Sequence, residues 1–250
     1  MDEYAIVTGA SKGIGKELAL LLANKGYKLL LIARSATELS QLAEELPGGA
    51  MHFAIDLSEP GAAKQVADFC KDLPVSVLIN NAGYGLWGNF EESDLQQQLN
   101  MLQLNINAVV ELTYYLLPQL KKQPSYILNV SSTAAYQAVP TLAVYAATKA
   151  FVLSFSRALR VELKGRVSVS CLCPGPTNTG FAQRAGMDAL AELAEKFNMQ
   201  PDEVAKIGLE GMFSRKAEIV PGFLNKLSAI GARHINKSLI ERITAGLYKK

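Results

Sequence analysis

The sequence predicts an α/β fold built on one doubly wound, mostly parallel sheet. Short apolar runs rich in Val, Ile and Leu alternate with longer stretches of helical periodicity, as strands joined by helical crossovers require. A glycine-rich turn separates the first such run from the first helix, the position where nucleotide-binding sheets make their tightest turn. A length of 250 residues, 49% apolar and 19% charged, suits one extended core rather than two domains or a disordered chain.

In chain order, residues 5–7 read as a strand, residues 14–24 (IGKELALLLAN) as a helix that Gly26 ends, and residues 28–33 as a second strand. A helix over 39–46, a strand over 51–55, a helix over 61–71 and a strand over 75–79 continue the alternation. A long helix over 98–120 precedes a strand over 126–130, and a helix over 148–163 precedes a strand over 167–172. A last short strand is expected at 218–220. With no internal repeat, low-complexity run or linker, residues 1–250 read as one domain, with a substrate loop at about 176–200 and a basic tail at about 221–250.

Composition excludes several function classes. A net charge of +2, without a Lys/Arg cluster interleaved with aromatics, argues against nucleic-acid binding. Lys25 and Lys28 interrupt the most apolar stretch, so no segment approaches the roughly 18 uninterrupted apolar residues of a membrane span. The N-terminus lacks a signal-peptide pattern and, with only Cys70, Cys171 and Cys173, the chain reads as reduced and cytoplasmic. Cys171 and Cys173 stand two apart on a strand and face one side. With only His52 and His234 beside them they read as buried structural thiols, and no metal site is expected. The charge is uneven: residues 214–250 hold 8 basic and 2 acidic side chains, against 17 and 21 in residues 1–213.

The loop TGASKGIG, residues 8–15, lies between strand and helix. Missing Cβ atoms there let backbone approach a pyrophosphate while the helix N-terminus offers free N–H groups. About twenty residues on, where NAD-specific proteins place a carboxylate for the ribose hydroxyls, this chain has Arg34 and Ser35. A guanidinium and a hydroxyl suit a 2′-phosphate, with Lys12 adding charge from the loop, so NADP(H) is expected over NAD(H). The alternative, that Arg34 and Lys12 are solvated surface cations, stays open because sequence fixes placement and not direction.

Tyr145 is followed four residues later by Lys149, which puts both on one helix face. A phenol with a reference pKa near 10 is a poor acid–base catalyst at neutral pH. An ammonium about 4 Å away, at an effective dielectric near 20, favours the phenolate by roughly 4 kcal/mol, about three pKa units. Ser132 in NVSS stands thirteen residues before Tyr145 at a strand end, Asn105 in NINA stands forty before it, and NNAG occupies residues 80–83. Together with the glycine spacing of TGASKGIG, these motifs resemble the short-chain dehydrogenase/reductase family over residues 4–220.

The resemblance implies a single-domain Rossmann-type sheet, an enzyme, and a site assembled from the matched positions. Tyr145 would exchange a proton with a carbonyl or alcohol oxygen, and Ser132 would hydrogen-bond that oxygen. Lys149 would hold the nicotinamide ribose and lower the phenol pKa, and Asn105 would fix a water. The cofactor would lie along Gly9, Ser11, Lys12, Gly13, Ile14 and Gly15, with Arg34 and Ser35 at its phosphate and Asp56 and Leu57 at its adenine. Asn81, Ala82 and Gly83 would follow, then Pro174, Gly175, Thr177 and Thr179 at the nicotinamide. Ala108 and Ala135 replace glycines common in the family, and Thr177 replaces a frequent aliphatic residue.

The substrate is expected to be a small-molecule carbonyl or alcohol reached past Trp87 and Tyr136, with Phe181, Met187, Leu190, Leu193 and Phe197 forming either an apolar lid or a helix packed on the core. Family members pair through the helices that hold Asn105 and Lys149, so a homodimer or homotetramer is implied. In the tail, Leu227, Ile235, Leu239, Ile243 and Leu247 recur at near-helical spacing among basic residues. They would pack against the body or a sister subunit, or else lie on a lipid surface. Beside an NADP(H)-dependent oxidoreductase, two functions remain in view: an isomerase or dehydratase without net redox, and a non-catalytic nucleotide-binding regulator.

Overall fold

A computed structural model describes residues 2–186 and 198–247. Seven parallel strands run in the order β3-β2-β1-β4-β5-β6-β7. They are β1 Tyr4–Thr8, β2 Lys28–Ala33, β3 Met51–Ala54, β4 Val75–Asn80, β5 Ser125–Val130, β6 Val167–Leu172 and β7 Glu218–Ile219. The chain starts at the centre, winds out to β3, and returns across β1 to β4. The strand order therefore reverses between β1 and β4, and a crevice opens beyond their C-terminal ends, where such sheets bind ligands. β4 is buried along its whole length, as a strand covered on both faces must be.

Helices α1 (Gly13–Asn24), α2 (Ala36–Glu45) and α8 (Pro201–Phe213) cover one face. Leu18, Leu22, Leu39, Val204 and Met212 pack there on Val7, Leu31 and Ile79. On the other face, α3 (Ala62–Phe69) and α5 (Ala108–Leu120) bring Val66, Leu112 and Leu116 onto Ile6, Leu78 and Ile127. Long helix α6 (Ala143–Glu162) packs beside β6. Among the described residues no helix is long and apolar enough to cross a membrane.

Two departures from the expected elements matter for the site. The single helix over 98–120 is instead α4 (Leu95–Leu102), a π-helical turn over Gln103–Asn107, and α5. Apolar periodicity does not register such a local widening, which often marks a functional position, and Asn105 sits at its centre, 1% exposed. Helix α6 begins at Ala143 rather than 148, so Tyr145 stands in its first turn. Its opening AVYAATK holds too few large apolar side chains to show a stripe. After short helix α7 (Phe181–Ala185), the tail forms α9 (Phe223–His234) and α10 (Lys237–Leu247). Met187, Leu190, Leu193 and Phe197 lie outside the described residues.

Candidate active site

The glycine loop is pinned to the neighbouring strand. Thr8 Oγ1 donates to the Ile79 carbonyl (3.2 Å) and accepts from the N–H groups of Asn81 (2.9 Å) and Ala82 (3.0 Å). Asn81 Nδ2 donates back to the carbonyls of Thr8 (2.9 Å) and Gly9 (3.2 Å). Asn81, expected at the cofactor, therefore spends its side chain on shaping the loop. Gly9 and Gly13 adopt φ of 63° and 56°, a region open to glycine. Residue 12 enters α1 extended and without a side-chain cap, leaving first-turn N–H groups for an anion. This uncapped turn above a cradle of glycines fits a dinucleotide pyrophosphate.

A Cβ on Gly15 would fall 2.2 Å from the Gly9 carbonyl oxygen, a backbone atom that cannot yield. Gly15→Ala is accordingly expected to destabilise the fold by about 1–3 kcal/mol and to weaken nucleotide binding at least tenfold. Urea unfolding and a fluorescence titration read the two effects, and a variant matching wild type in both would show that the loop does not hold this geometry in solution.

Beyond β2 and β3, Arg34 Nη1 stands 3.7 Å from Asp56 Oδ2, while Asp56 Oδ1 accepts from the Ser58 N–H (2.9 Å) and hydroxyl (2.7 Å). Burial pushes the Asp56 carboxyl up, but the Ser58 hydrogen bonds and the Arg34 charge outweigh it and hold the pKa below the usual value. Ser35 Oγ caps α2 by accepting from the Glu38 N–H (3.3 Å). Lys12 Nζ lies 2.7 Å from Glu38 Oε1. Both cations are mostly exposed, so these pairs are weak and the side chains remain available to a ligand. Leu57 is buried, packed in the core with Ala62, Ala63 and Val66.

At the other end of the crevice, α6 carries Tyr145 and Lys149. Lys149 is 6% exposed; its Nζ donates to the Val130 carbonyl (3.0 Å) and lies 5.7 Å from the Tyr145 ring centre. Burial lowers its pKa to about 8. Ser131 Oγ donates to the Lys149 carbonyl (2.7 Å), tying α6 to the end of β5. Ser132 follows directly, its Oγ accepting from the Ala134 N–H (3.1 Å).

Asn105 reaches this group from the π-turn. Its Nδ2 donates to the Tyr84 carbonyl (2.9 Å) and Thr148 Oγ1 (3.1 Å), and its Oδ1 accepts from the Tyr84 N–H (3.2 Å). A Cβ on Gly83 would lie 2.9 Å from Asn105 Oδ1 and 3.4 Å from Lys149 Nζ, so a side chain there would push Asn105 aside where NNAG, Asn105 and Lys149 converge.

Tyr145 packs in an apolar nest with Met101, Val139, Leu142 and Trp87, its ring centre 5.3 Å from that of Phe181. Pro174 accepts from the Thr133 N–H (2.9 Å), Thr177 Oγ1 donates to the Gly175 carbonyl (2.9 Å), and Thr179 lies against Gly13. The segment after β6 thus closes over the glycine loop.

Tyr136, expected at the mouth beside Trp87, turns away. Its hydroxyl donates to Glu218 Oε1 (2.8 Å) and its ring packs near Val152, Cys171 and Cys173. It is the last residue of a 3₁₀ turn, whose direction the sequence does not reveal. The two thiols do share one side, Sγ to Sγ 3.8 Å and buried, as expected. Thr8, Tyr84, Ser131 and Glu38 join the site without being expected there from the sequence. Glu38 carries a sequence signal, the capping-box spacing S-x-x-E from Ser35, whereas the others act through contacts distant in sequence.

The family model for short chain dehydrogenase matches residues 3–190. A probable short-chain type dehydrogenase/reductase VdlC of Helicobacter pylori is 37% identical over 185 residues, covering 72% of this chain and 67% of that one. Human 17-beta-hydroxysteroid dehydrogenase type 3 is 29% identical over 92% of this chain and 76% of its own length. The very-long-chain 3-oxoacyl-CoA reductase of Candida glabrata is 34% identical over 64% of this chain and 52% of its own. Among solved structures, a short-chain dehydrogenase from Sphingobium yanoikuyae in complex with NADPH superimposes with a TM-score of 0.83 at 29% identity, covering 96% of this chain and 95% of that one. A 3-ketoacyl-(acyl-carrier-protein) reductase from Brucella melitensis complexed with NADH gives 0.79 at 26% identity, covering 88% and 96%. With the glycine cradle, the buried lysine and the switch-point crevice all in place, the chain belongs to the short-chain dehydrogenase/reductase family of nicotinamide-dependent oxidoreductases.

Proposed function

We propose that the protein reduces a carbonyl compound, or oxidises the corresponding alcohol, with NADP(H), and that Tyr145 is its general acid–base group. The observation that carries this reading is a buried ammonium, Lys149 Nζ, set beside the Tyr145 ring in an apolar nest. There its charge acts at low effective dielectric and favours ionisation of the phenol. When bound, the nicotinamide supplies or accepts the hydride. Tyr145 gives its proton to the carbonyl oxygen in reduction and takes it back in oxidation, and Ser132 donates a hydrogen bond to the same oxygen. Lys149, released from the Val130 carbonyl, holds ribose hydroxyls. Asn105 keeps the Gly83–Tyr84 turn and Thr148 in register with it.

Met101, Val139, Leu142 and Phe181 around Tyr145 favour an apolar, bulky carbonyl compound, the kind that the names of the steroid and very-long-chain relatives describe for those proteins. NADPH oxidation assayed against ketones, ketosteroids and acyl-linked ketones tests the reading. Turnover of at least one carbonyl class is expected, whereas tight NADPH binding with no turnover would mark a regulator. Product formed without net NADPH oxidation would mark an isomerase or dehydratase.

The preference for NADP(H) rests on Arg34 and Lys12. Arg34→Asp is expected to weaken NADPH at least tenfold relative to NADH, since a carboxylate would face the 2′-phosphate. An unchanged ratio of the two dissociation constants would remove Arg34 from the phosphate site. Exposed Tyr114, Tyr115, Phe151 and Val161 on α5 and α6 fit a homodimer paired through these helices, and the buried thiols suit a reducing cytoplasm.

A further inference from the structure

Helix α9 is inside out. Phe223, Leu224, Leu227 and Ile230 are 73%, 67%, 50% and 53% exposed, while the small Ala229 is buried and Asn225 and Ala232 are half-buried. Successive residues of a helix turn by about 100°, which puts the four large side chains within one stripe about 120° wide, on the side away from the body. Ile235 and Leu239, 48% and 51% exposed, continue the apolar surface through the turn into α10. Ordinary surface helices bury such a stripe, and a contiguous patch of this kind marks a docking surface.

Charge identifies the occupant. Among the described side chains of α9 and α10, exposed Lys226, Lys237 and Arg242 stand against one exposed carboxylate, Glu241. Residues 214–250 carry 8 basic and 2 acidic residues, while the rest of the chain is net acidic. Lys226 borders the stripe next to Ile230, and Arg242 follows Leu239 by one turn. An apolar face edged with cations is the pattern of a helix lying in the plane of an anionic bilayer. A second copy of this chain would bring the same cations face to face.

We propose that α9, with the start of α10, docks the protein onto an anionic lipid surface. The helix packs on the 3₁₀ turn that follows Ser132, and Asn225 fills the space beside Gly175, so the helix adjoins the mouth of the crevice while its apolar stripe faces outward. If the proposed carbonyl reduction holds, an apolar substrate dissolved in the bilayer has a short path to Tyr145. The lipid contact itself does not depend on that reading.

Flotation of the full chain with phosphatidylcholine vesicles, with and without phosphatidylglycerol, tests the contact apart from catalysis. Wild type is expected to bind the mixed vesicles at least tenfold more tightly than the neutral ones, each cation contributing about fivefold. Leu224→Glu with Leu227→Glu is expected to lose this binding at least tenfold while keeping its circular dichroism spectrum and NADPH affinity. Lys226→Glu is expected to reduce only the preference for the anionic lipid. Failure of wild type to float, or flotation of the double variant equal to wild type, overturns the proposal. So does a double variant that halves the mass in sedimentation while binding vesicles normally, since the face would then join two copies.

Discussion

Tyr145→Phe is expected to lower kcat for carbonyl reduction by about 10²–10⁴-fold, with the NADPH dissociation constant within about threefold of wild type. The two halves of this expectation have separate physical origins. In the proposed mechanism, loss of the hydroxyl removes the group that meets charge developing on the substrate oxygen, an interaction made only in the transition state. The ring remains packed against Phe181 and the Met101, Val139 and Leu142 nest, so the shape of the crevice is kept. Steady-state NADPH oxidation and a fluorescence titration on one preparation read both. A variant that keeps more than a tenth of wild-type kcat would remove Tyr145 from the proton-transfer step, and a variant that loses NADPH binding would make its role structural.

Lys149→Met carries the second large effect and sets activity against stability. Turnover is expected to fall at least 10²-fold, because the proposed mechanism would lose both the charge that favours the Tyr145 phenolate and the donor for the ribose. The folded protein without nucleotide is expected to hold or gain stability at pH 7. Burial lowers the Lys149 pKa from 10.5 to about 8, so keeping it charged costs about 3 kcal/mol at any pH below 8. Methionine removes that cost and leaves the Val130 carbonyl without its donor, a loss of about 1–3 kcal/mol, for a net gain of about 0–2 kcal/mol.

The pH dependence gives the stronger test. Between about pH 8 and 10.5 the unfolded wild-type chain binds more protons at this position than the folded one. Wild-type stability therefore rises relative to the variant across that window, and any advantage of the variant shrinks. Urea midpoints of both proteins from pH 7 to 10.5 read it. Parallel curves would mean that Lys149 is not held in a desolvated site. Lys149 in the nucleotide-free protein loses its charge as the pH rises through about 8, so the help it gives Tyr145 in the proposed mechanism fades across that pH.

Local chemistry alone determined much of this protein. Alternation of apolar runs with helical stripes gave the parallel sheet, since period and run length are properties of neighbouring residues. The glycine loop, Tyr145 with Lys149, Ser132 at a strand end and Asn105 in its helix were all visible as short patterns, and the structure brings them to one crevice. What only the tertiary structure decided are the contacts between residues distant in sequence. Asn81 turned out to shape the glycine loop through Thr8, and the π-turn that delivers Asn105 to the Tyr84 backbone leaves no trace in hydrophobic period. Tyr136 swung to Glu218, Leu57 sank into the core, and α9 put its large apolar side chains outward. Periodicity shows that a helix has an apolar face. Which side the protein covers depends on how the whole chain packs, and no window of sequence contains that information.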